Sequence, residues 1–277
     1  MKKNGLVVDI DGDCLWYISN MHRKDYSDLE NKLRSYVRRY QGHGITDLVY
    51  CISGLVSSVP TKVLTFYGDK VLWKEEHGIP VDYSEHDRIK PYHEMEKTGL
   101  DCYSILLEET AACGMHPWIS VRMNDIHDND KTTSFLRGKL FYTVQDNGWN
   151  VGGDGISPYF QKCMNYGVKE VRDIMLAYIE EQINHFDVYG LELDFQREIY
   201  CFDYRNDKNA CAVMNDFIRN VRRILDKAEE KWGHPIKLAM HLLRDVAENK
   251  AFGFDVEAWV KEGLADALIP SPRWGTC

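Results

Sequence analysis

The segment SVRMNDIHDND (120–130) places side chains capable of acid–base chemistry directly after an apolar stretch, MHPWI, which predicts a strand entering a protein core. Arg122 has a planar guanidinium suited to a carboxylate, and Asn124 can bond two neighbouring hydroxyls. Histidine exchanges protons near neutral pH, and Asp125 could orient His127 for that role. Leaving such groups buried and unpaired would cost roughly 2–7 kcal/mol each. The strand end therefore either surfaces into solvent or lines a site.

A second group of charges lies in the segment GLELDFQRE. Side chains alternate between the two faces of a strand, so Glu192 and Asp194 share one face and the leucines share the other. Two carboxyls on one face raise each other's pKa, which can keep an acid protonated near neutrality. The spacing is similar to the Asp-x-Asp-x-Glu signature of family 18 chitinases, but Gln196 stands in the place of that signature's acid. A structural ion pair with Arg122 or Arg197 is the alternative interpretation.

The N-terminal segment VVDIDGD contains three aspartates, Asp9, Asp11 and Asp13. Asp-x-Asp-Gly after a strand resembles the nucleophile loop of haloacid-dehalogenase-type phosphatases, in which the first aspartate attacks phosphorus, the second is the acid/base and both hold magnesium. Those enzymes usually continue with Thr or Val after the glycine, where this chain has Asp13. A solvated acidic turn and a calcium or magnesium site are the alternatives. The histidines do not have zinc-type spacing, so we predict no catalytic metal and no cofactor.

Strand and helix patterns alternate along the chain, which predicts a parallel sheet covered by helices. The long predicted loops over about 53–98 and 125–165 both follow strand C-termini, where a TIM-type (β/α)8 barrel builds its site. No Gly-x-Gly-x-x-Gly or Walker sequence marks a nucleotide site. We therefore predict an α/β fold of the (β/α)8 type rather than a doubly wound sheet. The predicted strands are 5–10, 45–53, 115–123, 188–195, 236–243 and 265–270, and the predicted helices run from Ser27 to Gly42 or Gly44 and over 101–113, 168–186, 207–232 and 255–263.

About six strands are recognisable in the sequence, whereas a closed barrel of this type needs eight. We predict a single barrel domain spanning 1–277 that is incomplete at its C-terminus, with two strands missing or supplied by another chain. An open sheet exposes its two edge strands, which favours association between copies of the chain.

The formal net charge of −9 and the pI of about 5.6 argue against nucleic-acid or membrane-surface binding, since both use a basic face. With 44% hydrophobic residues, the chain of 277 residues can bury a large core. The eight cysteines include no Cys-x-x-Cys pair, which indicates free thiols in a reducing compartment. The sequence has neither a signal segment nor a run long enough to span a bilayer. We therefore expect a cytoplasmic location, or a secreted or periplasmic one if a signal peptide was removed.

Three segments, SVRMNDIH, GLELDFQRE and FGFDVEAWVKEGLADALIPSP, resemble bacterial glycoside hydrolases of the family-10-like barrel type. This resemblance implies a (β/α)8 barrel that acts on carbohydrates. The Arg-x-x-x-x-His formed by Arg122 and His127 also resembles the third-strand signature of family 156 exo-sialidases. The second resemblance implies that His127 and one of Asp9, Asp11 and Asp13 are the catalytic pair, and that Arg122 contacts the carboxylate of an acidic sugar such as sialic acid.

Three further segments offer side chains for sugar binding. The fifth strand ends near Arg244 and His241, although His241 could equally be a core histidine. The sixth strand is followed by a charge and an aromatic ring, and the Gly-rich loop 147–160 is predicted to fold over the site with Trp149 and Tyr159 as stacking residues. The predicted catalytic residues are Asp11, Asp13, Asp125, His127, Glu192 and Asp194, and the predicted substrate-binding residues are Arg122, Asn124, Trp149, Arg197, His241, Arg244, Arg273 and Trp274.

These features predict a glycoside hydrolase that uses carboxylate and histidine acid–base catalysis at the C-terminal face of the barrel. Its expected partner is a carbohydrate, with homo-oligomers possible through the open edges. Two alternatives remain: a non-catalytic carbohydrate-binding barrel, which Gln196 favours, and a magnesium-dependent phosphatase that uses Asp9 and Asp11.

Overall fold

The computed structural model describes residues 5–12, 26–67, 69, 76–80, 92, 94–127, 131, 133–134, 136–153, 156–203 and 206–272. In this part of the chain, six parallel strands curl into a half-barrel and alternate with helices. This confirms the predicted TIM-type α/β fold. The strands are β1 (Leu6–Ile10), β2 (Ile45–Ser53), β3 (His116–Arg122), β4 (Gly190–Asp194), β5 (Lys237–Leu242) and β6 (Ala267–Pro270), and the helices are α1 (Leu29–Arg38), α2 (Cys102–Ala112), α3 (Lys139–Asp146), α4 (Lys169–His185), α5 (Ala210–Trp232), α6 (Val246–Ala251) and α7 (Val256–Lys261).

Each strand turns alternate side chains towards the helices and towards the interior of the half-barrel. In β4, Leu191 and Leu193 are fully buried in the large core between the sheet and the helices. Glu192 and Asp194 therefore face the interior, as the alternation in GLELDF predicts. Because the strands are parallel, their C-terminal ends meet at one edge, and the polar residues that follow them are brought together there.

A small apolar cluster fills the interior of the half-barrel below that edge. Trp118 packs there with Val49 and Ala239, and its indole Nε1 donates to Asp47 Oδ1 over 2.8 Å. The neighbouring strand makes room for the ring through Gly190, where a Cβ atom would lie 2.2 Å from the Trp118 side chain. This apolar layer lies in the interior between the N-terminal and the C-terminal ends of the strands.

The strands follow one another in sequence order across the sheet, so β1 lies at one edge and β6 at the other. Within the described residues β1 pairs only with β2, and its Leu6 and Val7 are 61% and 57% exposed. A doubly wound sheet instead binds its ligand where the strand order reverses, beside a central first strand. The consecutive order therefore removes support for the phosphatase alternative.

The element boundaries differ from the predicted ones mainly after β3. The segment 125–165, predicted to be a loop, contains α3, whose Leu140, Phe141 and Val144 are buried, and a 3-10 turn at Phe160–Lys162. A helix of two turns offers too few apolar positions to stand out as a periodic pattern. Within the described residues, no helix combines the length and the apolar character needed to cross a membrane.

Candidate active site

Five of the predicted site residues meet at the C-terminal edge of β1, β3 and β4. Arg122 joins two carboxylates: its Nη2 donates to Asp11 Oδ1 over 2.8 Å and its Nη1 to Asp125 Oδ2 over 3.2 Å. His127 Nδ1 lies 2.5 Å from Asp125 Oδ1, and Arg197 Nη2 lies 3.0 Å from the same nitrogen. We call these five residues the arginine cluster.

Asp125 is the buried anchor of the arginine cluster. Its side chain is 5% exposed, and its Oδ1 also accepts the backbone N–H of His127 over 3.0 Å. Burial alone would raise the pKa of Asp125, but the hydrogen bond from the His127 ring and the charge of Arg122 lower it to about 2. The carboxylate therefore fixes a hydrogen on Nδ1 of His127. That tautomer leaves Nε2, which bonds to no described residue, able to accept a proton.

Arg197 contributes a cation whose donors are not fully used. A ring nitrogen that donates to Asp125 cannot also accept from a guanidinium, so Arg197 is a charged neighbour of His127 rather than its hydrogen-bond partner. Its Nε is buried without a hydrogen-bond partner and lies 4.0 Å from Asp125 Oδ2. Such an unpartnered buried donor calls for an acceptor, which a bound anion can supply.

The arginine cluster lines a cavity of about 170 Å³, which we call the first cavity. Its other walls come from residues that the sequence did not single out. Cys51 is one of them, and burial raises the pKa of its thiol to about 12, so the thiol is not available as a thiolate nucleophile. The remaining walls include Gly12, Ser53, Gly54, Ser58, Tyr67, Tyr92 and Leu136, most of them from the aromatic segment after β2 that could have signalled them.

Glu192 and Asp194 lie deeper in the interior, beside His241. Glu192 is 3% exposed, and burial followed by the charges of Asp9 and Asp194 raises its pKa to about 8. Asp194 Oδ1 accepts the backbone N–H groups of Gln196 and Arg197 over 2.8 and 3.1 Å. The charge of Asp194 thus contributes to the raised pKa of Glu192, with burial as the larger cause.

His241 connects this pair of carboxyls to β6. Its Nδ1 lies 3.4 Å from Asp194 Oδ1 and 3.5 Å from Glu192 Oε1, and its Nε2 lies 2.5 Å from Ser271 Oγ. Burial lowers the pKa of His241, which favours the neutral ring. The residue faces the interior rather than the helix core, so it belongs with the polar residues of the site.

Asn124, one of the predicted binding residues, has a structural role instead. Asn124 is fully buried, and its Nδ2 donates to the carbonyls of Met164 and Tyr200 over 3.0 and 2.9 Å while its Oδ1 accepts from Met164 N over 2.9 Å. The nitrogen and the oxygen of its amide therefore both bond to the backbone of loops, and its prediction as a hydroxyl ligand is wrong. Trp149 is partly buried and packs against the main core, and its role as a stacking residue stays a prediction.

The remaining predicted residues lie elsewhere or outside the described part. Arg244 lines a separate cavity on the other side of Gln196, and Tyr159 donates to Glu198 Oε1 over 3.4 Å. Among the described residues, no group of three or more His, Cys, Asp or Glu side chains is arranged to hold a metal ion. Asp13, Arg273 and Trp274 lie outside the described residues, so their roles stay predictions.

No family model and no curated protein matches this chain. Solved structures similar to it include a family 36 α-galactosidase from Geobacillus stearothermophilus, with 11% identity, 99% of this chain and 31% of that chain covered, and a TM-score of 0.43. A β-hexosaminidase from Streptomyces plicatus is 12% identical over 98% of this chain and 48% of that chain, with a TM-score of 0.46. The tandem family 20 modules of the pneumococcal StrH are 10% identical over 86% and 53%, with a TM-score of 0.48.

This chain therefore spans between about a third and about half of the length of those proteins. Similarities with TM-scores below 0.5 are too weak to assign an activity to this chain. The arrangement of the site residues is the basis on which a function can be proposed.

Proposed function

We propose that this protein is a glycoside hydrolase that removes an acidic sugar by acid–base catalysis at the arginine cluster. The observation that supports this best is the pair of Asp125 and His127, in which a buried carboxylate holds Nδ1 of the ring over 2.5 Å at the wall of the first cavity. A histidine oriented in this way by a carboxylate is an effective general base.

The base in this proposal is His127. Its Nε2 takes a proton from a water molecule while Nδ1–H stays bonded to Asp125. The water oxygen then bonds to the anomeric carbon as the bond between that carbon and the leaving oxygen breaks. The leaving oxygen needs a proton at the same time, so the site must also contain an acid.

We assign the acid to Asp9 among the aspartates of the first segment. Asp11 is engaged by Arg122 over 2.8 Å, whereas enclosure by protein, followed by the charge of Asp194, raises the pKa of Asp9 to about 6. The side chain of Asp9 is nevertheless exposed, so solvent moderates this shift and a substrate can reach the carboxyl. Glu192, with a pKa of about 8, holds its proton more firmly but is 3% exposed and too deeply buried to meet a leaving group.

The acidic character of the proposed sugar is inferred from the hydrogen-bond donors that the protein itself does not use. Each terminal nitrogen of Arg122 already bonds to a carboxylate of the protein, so Arg197 is better placed to receive a ligand carboxylate. Its buried Nε without a partner would be satisfied by such a ligand, and charge-assisted bonds of this kind are worth about 1.5–3 kcal/mol.

The test is hydrolysis of 4-methylumbelliferyl sialoside compared with the matching neutral galactoside and glucoside. We expect turnover of the sialoside and a loss of about 10²–10⁴-fold in kcat for His127→Ala and for Asp9→Asn, with unchanged circular dichroism. Arg197→Gln should raise the KM for the sialoside. Turnover confined to neutral sugars would refute the acidic substrate, and unchanged kcat in both variants would refute the assignment of base and acid. Saturable binding of the sialoside by the wild type without any turnover would favour a non-catalytic sugar-binding barrel.

A further inference from the structure

A second cavity lies beside the first one at the C-terminal edge of the sheet. It is formed between the segment after β4 and the ends of β5 and β6, and we call it the second cavity. Arg197 lines the first cavity, whereas Gln196 and Glu198 line the second one. The segment 196–198 is therefore a shared wall whose alternate side chains serve the two cavities.

The second cavity contains a donor that the protein leaves unsatisfied. Gln196 is 4% exposed and its Nε2 has no hydrogen-bond partner. A buried donor in that state costs about 1–3 kcal/mol, a cost that a ligand oxygen can offset. In the sequence Gln196 follows Glu192 and Asp194 at the same spacing of two, with an uncharged amide in place of a carboxyl.

Arg244 lines the same cavity with an exposed guanidinium. It forms no hydrogen bond or ion pair with the described residues, although the acidic Asp245 and Glu248 line the cavity with it. The Asp245 carboxylate is occupied as the N-cap of α6, where its Oδ1 accepts the backbone N–H of Glu248 over 2.8 Å. The donors of Arg244 therefore remain available to a ligand.

Apolar and aromatic residues form another part of the wall. The rings of Phe160 and Tyr200 stack with centroids 4.7 Å apart and an interplanar angle of 30°. Ser271 adds a hydroxyl that is bonded to His241, which in turn faces Asp194. Hydrogen-bond donors beside an aromatic wall suit a sugar, which presents hydroxyl oxygens together with apolar C–H faces.

We propose that the second cavity is a subsite for the next sugar units of an oligosaccharide whose terminal acidic sugar occupies the first cavity. This inference rests on the proposed function. Gln196 and Arg244 donate to hydroxyl or ring oxygens of the uncharged units, and the shared wall places the bond to be cleaved between the two cavities. The substrate class is then a glycan of at least two or three units rather than a simple glycoside.

The test compares sialyllactose, a trisaccharide, with 4-methylumbelliferyl sialoside. Arg244→Ala and Gln196→Leu should each lower the ratio of kcat/KM for the trisaccharide to kcat/KM for the aryl sialoside by about 10-fold, mainly through KM. One lost hydrogen bond of about 1.4 kcal/mol corresponds to that factor. Arg223→Ala, which removes an exposed arginine of α5, is the matched control and should leave the ratio unchanged.

The outcomes separate this inference from the proposed function. An unchanged ratio in both variants, with active enzyme, overturns the subsite and leaves the hydrolase standing. If the wild type turns over neither substrate, calorimetry with sialyllactose decides: binding that weakens about 10-fold in both variants but not in Arg223→Ala supports the subsite and refutes the hydrolase. Failure of the wild type to bind sialyllactose overturns the subsite.

Discussion

Strand β3 has a histidine–aspartate pair at each of its ends, and the two pairs have different surroundings. Beyond its C-terminal end, Asp125 and His127 lie 2.5 Å apart in the wall of a cavity with Arg122. At its N-terminal end, His116 Nδ1 lies 2.9 Å from Asp47 Oδ1. The residue types are the same at both ends, so the difference in expected role must come from the neighbours.

The neighbours of the N-terminal pair occupy both carboxylate oxygens of Asp47. Asp47 also accepts from Trp118 Nε1 over 2.8 Å and from Thr46 Oγ1 over 2.6 Å, and the His116 ring stacks on Tyr189 with centroids 3.9 Å apart. This pair fastens the start of β2 to the start of β3. At the other end two arginines adjoin the pair, and the buried Nε of Arg197 has no hydrogen-bond partner. The unpartnered arginine donor, rather than the pair itself, marks the candidate active site.

The largest effect should come from removing the carboxylate of each pair in turn. Asp125→Asn keeps the shape but loses the charge that fixes Nδ1–H on His127, so we expect kcat to fall by about 10²–10⁴-fold. Asp47→Asn should leave kcat within about twofold and lower the free energy of unfolding by roughly 1–2 kcal/mol through weaker bonds to Trp118 and His116. Kinetics on the active glycoside and urea unfolding measure the two effects, and equal losses of kcat would contradict the comparison.

Individual residues of the site differ in whether their positions could be predicted from the sequence. The period of two in GLELDF predicts that Glu192 and Asp194 face the interior, and β3 ending in Arg122 predicts the position of the arginine cluster. Asn124 could not be assigned in the same way, because its partners Met164 and Tyr200 are 40 and 76 residues away along the chain. Contacts made by loops across such distances leave no periodic signal in the sequence.

The same reasoning applies to the walls of the two cavities. Tyr92 lines the first cavity, and its hydroxyl donates to the carbonyl of Gly12 over 2.7 Å, although the two residues are 80 positions apart in the sequence. Arg122, by contrast, is the last residue of β3 and lines the first cavity, as its position at a strand end predicts. Side chains placed by regular strands were thus predictable, whereas those placed by long loops were not.

A smaller effect should separate stability from catalysis within the interior. The folded pKa of Glu192, about 8, lies above its ordinary value of 4.5, so between these pH values the folded protein holds a proton that the unfolded chain has lost. Stability therefore falls as the pH rises through this range, and Glu192→Gln should remove that fall. At about 1.36 kcal/mol per pKa unit, we expect the variant to be more stable than the wild type by on the order of 2–4 kcal/mol at pH 8 and equally stable near pH 4.5.

Urea unfolding at the two pH values measures this difference. Glu230→Gln, at an exposed position of α5, is the control and should show the same stability as the wild type at each pH. An equal stability difference between Glu192→Gln and the wild type at both pH values would mean that folding does not raise the pKa of Glu192, and the interior would then not keep a protonated carboxyl.

The smallest effect should come from a second exposed pair near the start of the strands. His234 Nε2 lies 2.7 Å from Asp187 Oδ1, and this hydrogen bond is the main reason that the pKa of His234 is raised above 6.5. The stability that it contributes is fully present below pH 6.5 and is lost as the pH rises through the higher folded pKa. Because both side chains are largely exposed, solvent limits the contribution to about 0.2–1 kcal/mol. His234→Ala should therefore lower the free energy of unfolding slightly at pH 5.5 but not at pH 9, and it should leave kcat unchanged. His43 is an exposed histidine for which the described residues provide no such partner, so His43→Ala is the control and should change neither the free energy of unfolding nor kcat. A loss of kcat in His234→Ala would show that the two ends of the strands are coupled, and the comparison between them would fail.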